Sequence, residues 1–306
     1  VLMSFTFGDI PIQQGRTAIV TGANTGIGFE IARALAAKGA RVLLACRDGD
    51  KAADAIARID GGREQGGETQ YLHLDLANIA SVREAAETAA KEERIDMLVN
   101  NAGVMIPPFS TATAGCELQF AVNHLGHFAF TALLLEKLAQ GDGGRVVMQS
   151  SIAHRGADID FDNLDGSKGY DKSEFYGQSK LANLLFADEL DRRLRKAGSS
   201  VVSLASHPGV AATELTRHLK GGKLFSSVVG AVLNTSEKGA LPALQAATDP
   251  EAQGGDYYGP YGFKETRGKT SGRAVKSKRA RDEQLAARLW DKSIELTGID
   301  PGLDPA

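Results

Sequence analysis

One stretch of the chain constrains its fold more than any other: Thr21-Gly22-Ala23-Asn24-Thr25-Gly26-Ile27-Gly28. It follows an apolar, strand-like run at 17–20 and opens a helical pattern that extends from 29 to 38. Glycines allow left-handed backbone angles and the close approach of a ligand. The N-terminus of a helix attracts a pyrophosphate through its free N–H groups and its positive dipole end. The stretch is therefore a candidate phosphate-binding turn, although glycine-rich turns also occur as plain tight connections.

Strand-like and helical patterns alternate along the whole chain. After the glycine turn, strands are predicted at 41–45, 69–74 and 96–100, and helices at 48–59 and 78–92. The second half continues with helices at 117–139, 173–196 and 236–248, strands at 145–149 and 200–205, and a short seventh strand at Tyr257-Tyr258. This alternation requires a parallel sheet with helices on both faces and right-handed crossovers. Because no linker divides the chain, we expect a single-domain Rossmann fold over 1–306, with a doubly wound sheet of about seven strands.

Three segments lie outside this scheme. We expect residues 1–14 to form a short N-terminal arm, and residues 207–235 to form a mobile flap over a substrate pocket. The C-terminal tail, 265–306, contains a basic stretch from Lys269 to Arg281 that suits a solvated loop better than a nucleic-acid contact. An amphipathic helix is predicted from Arg281 to Leu296.

Composition narrows the class of protein. A chain of 306 residues that is 42% hydrophobic and 24% charged is typical of a soluble globular protein. Its net charge of −3 gives no general attraction to nucleic acid or to an anionic membrane surface. Cys46 and Cys116 make neither a disulfide framework nor a metal motif, which favours a reducing compartment. We also predict no membrane span and no signal peptide, and therefore a cytoplasmic location.

Polar residues follow two of the predicted strands directly. Ser150 and Ser151 come after the strand at 145–149, and Asn100-Asn101-Ala102-Gly103 ends the strand at 96–100. Both groups are expected at the carboxyl edge of the sheet, where ligands bind in open α/β folds. Taken singly, such hydroxyls and amides also serve merely as caps.

Tyr176 and Lys180 are one turn apart on the same face of the helix predicted at 173–196. A free tyrosine has a pKa of about 10. Because an adjacent ammonium favours the phenolate, we expect Lys180 to lower the pKa of Tyr176 toward a value useful for proton transfer. A Tyr and a Lys at this spacing also occur by chance, so the pair gains its weight from the other motifs.

The motifs occur together and in order: T-G-x-x-x-G-x-G at 21–28, N-N-A-G at 100–103, Asn123, Ser151, and Y-x-x-x-K at 176–180. With them, residues 17–213 resemble the short-chain dehydrogenase/reductase family. Within the family the chain is similar to the retinol dehydrogenase/WW-domain oxidoreductase branch, as judged from the segments at 45–48, 122–128, 150–154 and 207–210. The long gap between Ser151 and Tyr176 resembles the insertion of that branch, although 159–172 is richer in Asp and Gly.

The resemblance implies a role for each matching residue. Tyr176 would exchange a proton with the substrate oxygen while hydride moves to or from the nicotinamide, and Ser151 would hydrogen-bond the substrate carbonyl. Lys180 would hold the nicotinamide ribose, and Asn123 would hold a water linked to Lys180. The remaining residues would contact the cofactor: Gly22, Asn24, Thr25, Gly26, Ile27 and Gly28 at the pyrophosphate, Asp75 and Leu76 at the adenine, Asn101, Ala102 and Gly103 along the adenosine ribose, and Pro208, Gly209 and Thr213 at the nicotinamide amide.

The end of the second strand bears on the choice of cofactor. An acidic residue there would bind the ribose 2′-OH and select NAD(H), but Cys46 and Arg47 stand at this place. An arginine pairs with a 2′-phosphate through a charge-assisted hydrogen bond, worth roughly 10- to 150-fold in affinity. We therefore predict NADP(H), with NAD(H) as the alternative if Arg47 is an ordinary solvated side chain. No metal is expected, because His124 and His127 lack a Glu or Cys partner at a fitting spacing.

These inferences predict an NADP(H)-dependent oxidoreductase that acts on a hydrophobic aldehyde, ketone or alcohol. Its pocket would be capped by 207–235 and by the insertion at 152–172. The alternative is a non-catalytic dinucleotide-binding sensor or scaffold with the same fold, which would have no use for the proton chemistry of Tyr176 and Lys180. Oligomeric state stays open. Family members often pair through the two long central helices as dimers or tetramers, and a long C-terminal tail can obstruct those faces.

Overall fold

A computed structural model describes residues 4–62, 66–112, 114–141, 143–210 and 234–306. These residues form an eight-stranded sheet in the order β3-β2-β1-β4-β5-β6-β7-β8. The strands are β1 (Thr17–Thr21), β2 (Arg41–Cys46), β3 (Thr69–His73), β4 (Met97–Asn100), β5 (Arg145–Gln149), β6 (Val202–Ser206), β7 (Tyr257–Tyr261) and β8 (Thr270–Arg273). The first seven run parallel, and β8 pairs antiparallel with β7. The predicted Rossmann fold is therefore confirmed.

The eighth strand corrects one sequence-based expectation. The basic stretch from Lys269 to Arg281 was expected to be a solvated loop, but its first part is β8. Ser271 within it is fully buried, and its main chain exchanges two hydrogen bonds of 2.9 Å with Phe5 of the N-terminal arm. The strand forms because partners on both sides satisfy its backbone groups, and such partners are invisible in local composition.

Helices cover both faces of the sheet. They are α1 (Gly26–Ala37), α2 (Gly49–Gly61), α3 (Ile79–Ala89), α4 (Leu118–Ala139), α5 (Lys172–Lys196), α6 (Ser236–Thr248) and α7 (Glu283–Thr297). One buried apolar cluster contains side chains of α1, α2 and α6, and the other contains side chains of α3, α4, α5 and α7. Strand residues that are apolar without alternation, such as Val42, Leu43 and Leu44, are buried because both faces of a parallel sheet are covered.

Helix α4 has two features that bear on function. Its backbone makes π-helical hydrogen bonds over Ala121–Leu125, around Asn123, and such π turns are frequent at functional sites. The helix is also long and apolar enough to cross a membrane, yet 83% of its most apolar stretch is buried inside the fold, as in a core helix of a soluble protein. The absence of a membrane span therefore stays a prediction.

The C-terminal segment packs against the central helices. Trp290 of α7 is buried, with its ring centroid 5.5 Å from that of Phe128 on α4 and 5.8 Å from that of Phe186 on α5. The Arg193 guanidinium lies 4.4 Å from the Trp290 ring centroid and also donates to the main-chain oxygen of Leu303 at 3.0 Å. Most of the segment expected to form a flap, 211–233, lies outside the described residues.

Candidate active site

The glycine turn lies at the carboxyl edge of β1, beside β4. Gly22 and Gly26 have φ angles of +67° and +59°, in the left-handed region that favours glycine. A Cβ on Gly28 would lie 2.3 Å from the main-chain oxygen of Gly22, so the turn admits no side chain there. Thr25, at the N-cap of α1, makes no side-chain cap hydrogen bond. The N–H groups of this helix start have no side-chain cap and therefore fit a dinucleotide pyrophosphate, with Asn24 and Ile27 in the same turn.

The end of β4 is locked to this turn by side-chain hydrogen bonds. Asn101 Nδ2 donates to the Thr21 carbonyl at 2.9 Å, and the main-chain N–H of Ala102 donates to Thr21 Oγ1 at 2.9 Å. A Cβ on Gly22 would lie 3.0 Å from the Cα of Ala102. The residues predicted to contact the pyrophosphate and the adenosine ribose therefore lie against each other.

A buried histidine links the glycine turn to Asn123. His127 Nδ1 lies 3.0 Å from the main-chain oxygen of Asn123, and its Nε2 lies 2.9 Å from Thr21 Oγ1. A carbonyl only accepts, so Nδ1 carries the proton and Nε2 accepts from the Thr21 hydroxyl. Burial lowers the pKa of His127 to about 4, which keeps the ring neutral. His127 is thus a packing and hydrogen-bonding residue.

Asn123 and Lys180 meet at Gly103. A Cβ on Gly103 would lie 3.1 Å from Asn123 Oδ1 and 3.3 Å from Lys180 Nζ. The Asn123 side chain accepts from the Val104 N–H at 2.8 Å and donates to Ser179 Oγ at 2.9 Å. Because these contacts fix the amide, its predicted role in holding a water stays a prediction.

The Lys180 side chain is buried but ends at the carboxyl edge of the sheet. Its Nζ donates to the main-chain oxygen of Gln149 at 3.3 Å and lies 5.7 Å from the ring centroid of Tyr176. Burial lowers the pKa of Lys180 to about 8. Ser150, the neighbour of Ser151, donates its hydroxyl to the main-chain oxygen of Lys180 at 2.8 Å. The strand end and α5 are therefore held together at this point.

Tyr176 is half-buried. Burial raises the pKa of Tyr176, and a hydrogen bond with the Ser151 side chain opposes the rise. The expected effect of Lys180 was a lower pKa of Tyr176. In the structure the pKa is raised, because the loss of water around the phenolate outweighs the effects that lower it. Ser151 Oγ accepts from the Ala153 N–H at 3.2 Å, so its own proton remains free to be donated.

Arg47, Asp75 and Leu76 are the residues predicted to lie at the adenosine end of the cofactor. Arg47 is exposed just beyond β2, and the carboxylate that follows it, Asp48, accepts from both the N–H and the Nζ of Lys51, at 3.1 and 2.5 Å. Asp75 Oδ1 accepts from the Ala77 N–H at 3.0 Å. Leu76 is buried, and its main-chain oxygen would lie 2.4 Å from a Cβ on Gly126 of α4.

On the opposite side, Pro208 and Gly209 follow β6. A Cβ on Gly239 of α6 would lie 3.3 Å from both Ile27 and Pro208, so α6 brings this segment to the glycine turn. Gly209 has a φ of +73°, and a Cβ there would lie 2.4 Å from the main-chain oxygen of Thr266. The remaining residue predicted at the nicotinamide, Thr213, lies outside the described residues.

Two buried histidines near the site have local contacts at both ring nitrogens. His154 Nδ1 lies 2.6 Å from the main-chain oxygen of Ser151, and its Nε2 accepts from the Ser277 N–H at 3.2 Å. His207 Nδ1 accepts from the Gly209 N–H at 3.1 Å, and its Nε2 lies 3.3 Å from Glu265 Oε2. Both therefore act as local hydrogen-bonding residues.

Sequence reasoning did not find Glu265 or its partner Arg155. The Arg155 guanidinium donates to Glu265 Oε2, which joins the turn after Ser151 to the segment after β7. Burial acts to raise the pKa of Glu265, but the hydrogen bond with His207 and the charge of Arg155 lower it overall. Glu265 itself has a φ of +58°. These residues are 110 positions apart, and no local pattern marks such a pair.

Comparison with known proteins agrees with this architecture. A family model described as short chain dehydrogenase matches residues 16–223. Retinol dehydrogenase 13 of Homo sapiens is 43% identical over 296 residues, covering 94% of this chain and 86% of the relative. Retinol dehydrogenase 12 of Mus musculus is 43% identical over 291 residues, covering 93% and 87%. Retinol dehydrogenase 14 of Homo sapiens is 38% identical over 311 residues, covering 95% and 89%.

Solved structures show the same fold. An uncharacterized protein from Mycobacterium paratuberculosis superposes with a TM-score of 0.81 at 37% identity, covering 97% of this chain and 99% of that protein. RhlG of Pseudomonas aeruginosa, solved as an NADP active-site complex, has a TM-score of 0.64 at 26% identity, covering 81% and 95%.

The fold and the crevice define a dinucleotide-binding α/β protein. The chain belongs to the short-chain dehydrogenase/reductase family. Within the family it is similar to the retinol dehydrogenases, and it is an oxidoreductase that acts on alcohol or carbonyl groups.

Proposed function

We propose that the chain is an NADP(H)-dependent oxidoreductase that interconverts a hydrophobic aldehyde or ketone with its alcohol. One observation carries the proposal. The Tyr176 phenol lies beside the buried ammonium of Lys180, whose Nζ is 5.7 Å from the phenol ring centroid, and the Ser151 side chain acts on the pKa of the phenol. This group stands at the sheet edge next to a turn that fits a pyrophosphate. A sensor or scaffold would have no need of the proton-transfer group.

Each of the three side chains has a chemical task. In reduction, a bound NADPH would supply the hydride for the carbonyl carbon. The Tyr176 phenol donates its proton to the carbonyl oxygen, and the Ser151 hydroxyl donates a hydrogen bond to the same oxygen. The Lys180 ammonium stabilises the phenolate that remains. A tyrosine is a phenol at neutral pH, and burial, which raises the pKa of Tyr176, favours this proton-donating form.

The preference for NADP(H) rests on Arg47 and its surroundings. The guanidinium is exposed beyond β2, and the adjacent Asp48 carboxylate is engaged by Lys51. The Lys51 ammonium therefore partly compensates the negative charge of Asp48, which would otherwise repel a 2′-phosphate bound at Arg47. The NADP bound to RhlG, a relative of the same fold, supports this choice.

A hydrophobic substrate is supported by the relatives and by the site. Several relatives are named as retinol dehydrogenases, enzymes of a long apolar alcohol. In this chain, the apolar residues at 104–109 follow Gly103 and are each at least partly exposed. Apolar side chains left accessible next to polar catalytic groups are typical of a pocket for an apolar ligand.

Cofactor binding and turnover test the proposal separately. NADPH and NADH are titrated by intrinsic fluorescence against the wild type, Arg47→Ala, and Arg281→Ala as a control exposed arginine. We expect a preference for NADPH that falls by roughly 10-fold or more in Arg47→Ala only. Equal binding of both cofactors, unchanged by the substitution, would contradict the NADP assignment.

Turnover is measured as consumption of NADPH with retinal and with straight-chain aldehydes. Tyr176→Phe should lose at least about 100-fold in kcat while its NADPH affinity and circular dichroism stay those of the wild type. NADPH binding with no turnover of any carbonyl or alcohol would favour the sensor. A Tyr176→Phe variant as active as the wild type would remove the proposed proton donor.

We also propose a cytoplasmic location, on the basis of two free and buried cysteines, Cys46 and Cys116. Burial raises the pKa of Cys116 to about 11, which keeps it an unreactive thiol. Fractionation of cells that express the tagged full-length protein tests this. Recovery in the membrane pellet after high-salt washing would contradict it.

A further inference from the structure

An apolar segment runs outward from the active site. Val104-Met105-Ile106-Pro107-Pro108-Phe109 are six consecutive apolar residues, and none of them is fully buried. The segment starts at Gly103, where a Cβ would lie 3.3 Å from Lys180 Nζ. Residues 104–107 are partly exposed and 108–109 are exposed, and accessible apolar residues beside polar catalytic groups are typical of a site for an apolar ligand. This segment is therefore the natural contact for the part of the substrate that does not react.

The backbone of the segment is strained at Ile106. This β-branched residue has a φ of +54°, in a region that such side chains avoid. Strain of this kind persists only where the surroundings enforce it, and it clusters at ligand clamps and active sites. Here the Ile106 N–H donates to Oε1 of the buried Gln119 at 2.9 Å.

Gln119 connects the strained turn to the two helices that carry active-site residues. Its Nε2 donates to Tyr170 Oη at 3.1 Å and to the main-chain oxygen of Lys172 at 3.0 Å. Tyr170 in turn donates to the Pro107 carbonyl at 2.9 Å. Gln119 lies one turn before Asn123 on α4, and Lys172 lies one turn before Tyr176 on α5. The segment is thus held at a fixed distance from the reacting atoms.

The N-terminus of α4 fixes Gln119 itself. Oε2 of the buried Glu117 accepts from the N–H of Gln119 at 2.9 Å and from that of Phe120 at 3.1 Å. The Leu118 N–H donates to the Ser110 carbonyl at 3.0 Å. Both ends of the segment are therefore anchored, at Asn123 through Val104 and at Leu118 through Ser110.

Phe109, at the outer end, is exposed and yet held in place. It is 51% exposed, and its ring centroid lies 5.3 Å from that of Tyr170, which lies 5.2 Å from that of Phe175. A Cβ on Gly166 would lie 2.6 Å from the Phe109 ring, so glycine makes room for it. An aromatic row extends in this way from the residue before Tyr176 to the surface.

We infer that residues 104–109 form the wall that binds the hydrocarbon chain of the substrate, with Phe109 as the outer specificity residue and Gln119 and Tyr170 as positioning residues. This inference rests on the proposed function and adds the residues that contact the non-reacting hydrocarbon part of the substrate. The insertion that supplies Gly166 and Tyr170 then serves to hold this wall.

The test compares a long with a short aldehyde in the presence of NADPH. For the wild type, kcat/KM is expected to be higher for dodecanal than for butanal. In Phe109→Ala, the ratio of kcat/KM for dodecanal to that for butanal should fall by about 10-fold, because contact area with the chain is lost. Ile12→Ala is the control, since Ile12 is 73% exposed on the N-terminal arm, and its ratio should equal that of the wild type.

Tyr170→Phe tests the positioning role. It removes one hydroxyl and keeps the aromatic row, so we expect the variant to fold. A substitution of the buried Gln119 is less suitable, because it would leave the Ile106 N–H unpaired. We expect a several-fold higher KM for dodecanal, with a smaller change in kcat. A structural defect would instead reduce kcat and the melting temperature together.

The outcomes separate this inference from the proposed function. If the wild type reduces neither aldehyde, both fail. If it reduces both, and the dodecanal-to-butanal ratio is the same in the wild type, Phe109→Ala and Ile12→Ala, the proposed function stands and the wall is overturned. A wild type that shows no preference for the longer chain would also overturn it.

Discussion

His124 Nε2 lies 2.9 Å from the hydroxyl oxygen of Ser293, a contact that joins the central helix α4 to the C-terminal helix α7. Both side chains are buried, and Ser293 also donates its hydroxyl to the Leu289 carbonyl at 2.7 Å. The hydroxyl proton is thus used within α7, so His124 Nε2 carries the proton and donates to Ser293 Oγ. Around this contact, Phe128, Phe186 and Trp290 close the interface. The C-terminal helix therefore occupies one side of the central helix pair.

We predict from this packing that the protein is a monomer. None of the side chains from 177 to 194 on α5 is exposed, so the face through which family members were expected to pair is covered by the chain's own helices. Size-exclusion chromatography with light scattering at micromolar concentration should give the mass of one chain, 32.3 kDa. A stable dimer or tetramer would contradict this.

The buried histidines should make the protein sensitive to acid. Burial lowers the pKa of His124 to about 3, against about 6.5 for an unfolded histidine. The unfolded chain therefore binds one more proton between these values. The stability is complete above about pH 6.5 and falls as the pH is lowered. Between about pH 7 and about pH 5, His124 should lower the free energy of unfolding by about 2 kcal/mol. In His124→Phe this part of the loss should be absent.

Urea unfolding at both pH values measures this difference. The matched control is His73→Gln, because His73 is exposed on β3 and its replacement should leave the difference as in the wild type. The pH dependence that remains in His124→Phe should include His127. If the wild type and His124→Phe lose equal stability between the two pH values, His124 is not the residue responsible.

The glycine turn should tolerate no side chain at Gly28. A Cβ there would lie 2.3 Å from the Gly22 oxygen and 2.6 Å from Asn101 Nδ2, so Gly28→Ala must displace the turn. We expect a loss of about 1–3 kcal/mol in unfolding free energy and a larger loss of NADPH affinity. Gly61→Ala at the end of α2 is the control, since a Cβ there meets nothing within 4 Å. Equal NADPH affinity in both variants would argue against a phosphate at this turn.

Glu265 should influence cofactor binding through His207. Removing the carboxylate in Glu265→Ala leaves Arg155 and His207 Nε2 without their partner, and the segment at Pro208 and Gly209 loses a support. We expect about 10-fold weaker NADPH binding, with a smaller loss in Glu265→Gln. Fluorescence titration measures both, with exposed Glu251→Ala as control. If Glu265→Ala binds NADPH as the wild type does, the contact is only structural.

Local sequence signals predicted most elements because their causes are local. The helix expected from Ser173 to Lys196 spans Lys172–Lys196, and Asp171 begins it by accepting from the N–H groups of Ser173 and Glu174. Continuous apolar runs gave the parallel strands. β8 was missed because its strand character depends on pairing with β7 and with Phe5, which lies far away in the chain.

In the candidate site, too, local features could be predicted from the sequence and long-range features could not. Spacing alone placed Tyr176 and Lys180 one turn apart and put Ser151 at a strand end. The pKa of Tyr176 depends also on how much water the fold removes, which spacing does not show. The hydrogen bonds of Gln119 to Tyr170 and of Arg155 to Glu265 span 51 and 110 positions.

The sequence by itself thus determined the Rossmann fold, the glycine turn and the residues offered for chemistry, because periodicity, glycine conformation and helix caps act over a few residues. Only the tertiary structure decided that α7 covers the central helices, that Glu265 supports His207, and that a strained Ile106 holds an apolar wall beside Lys180. Burial and long-range hydrogen bonds decide these features, and both depend on which distant segments the folded chain brings together.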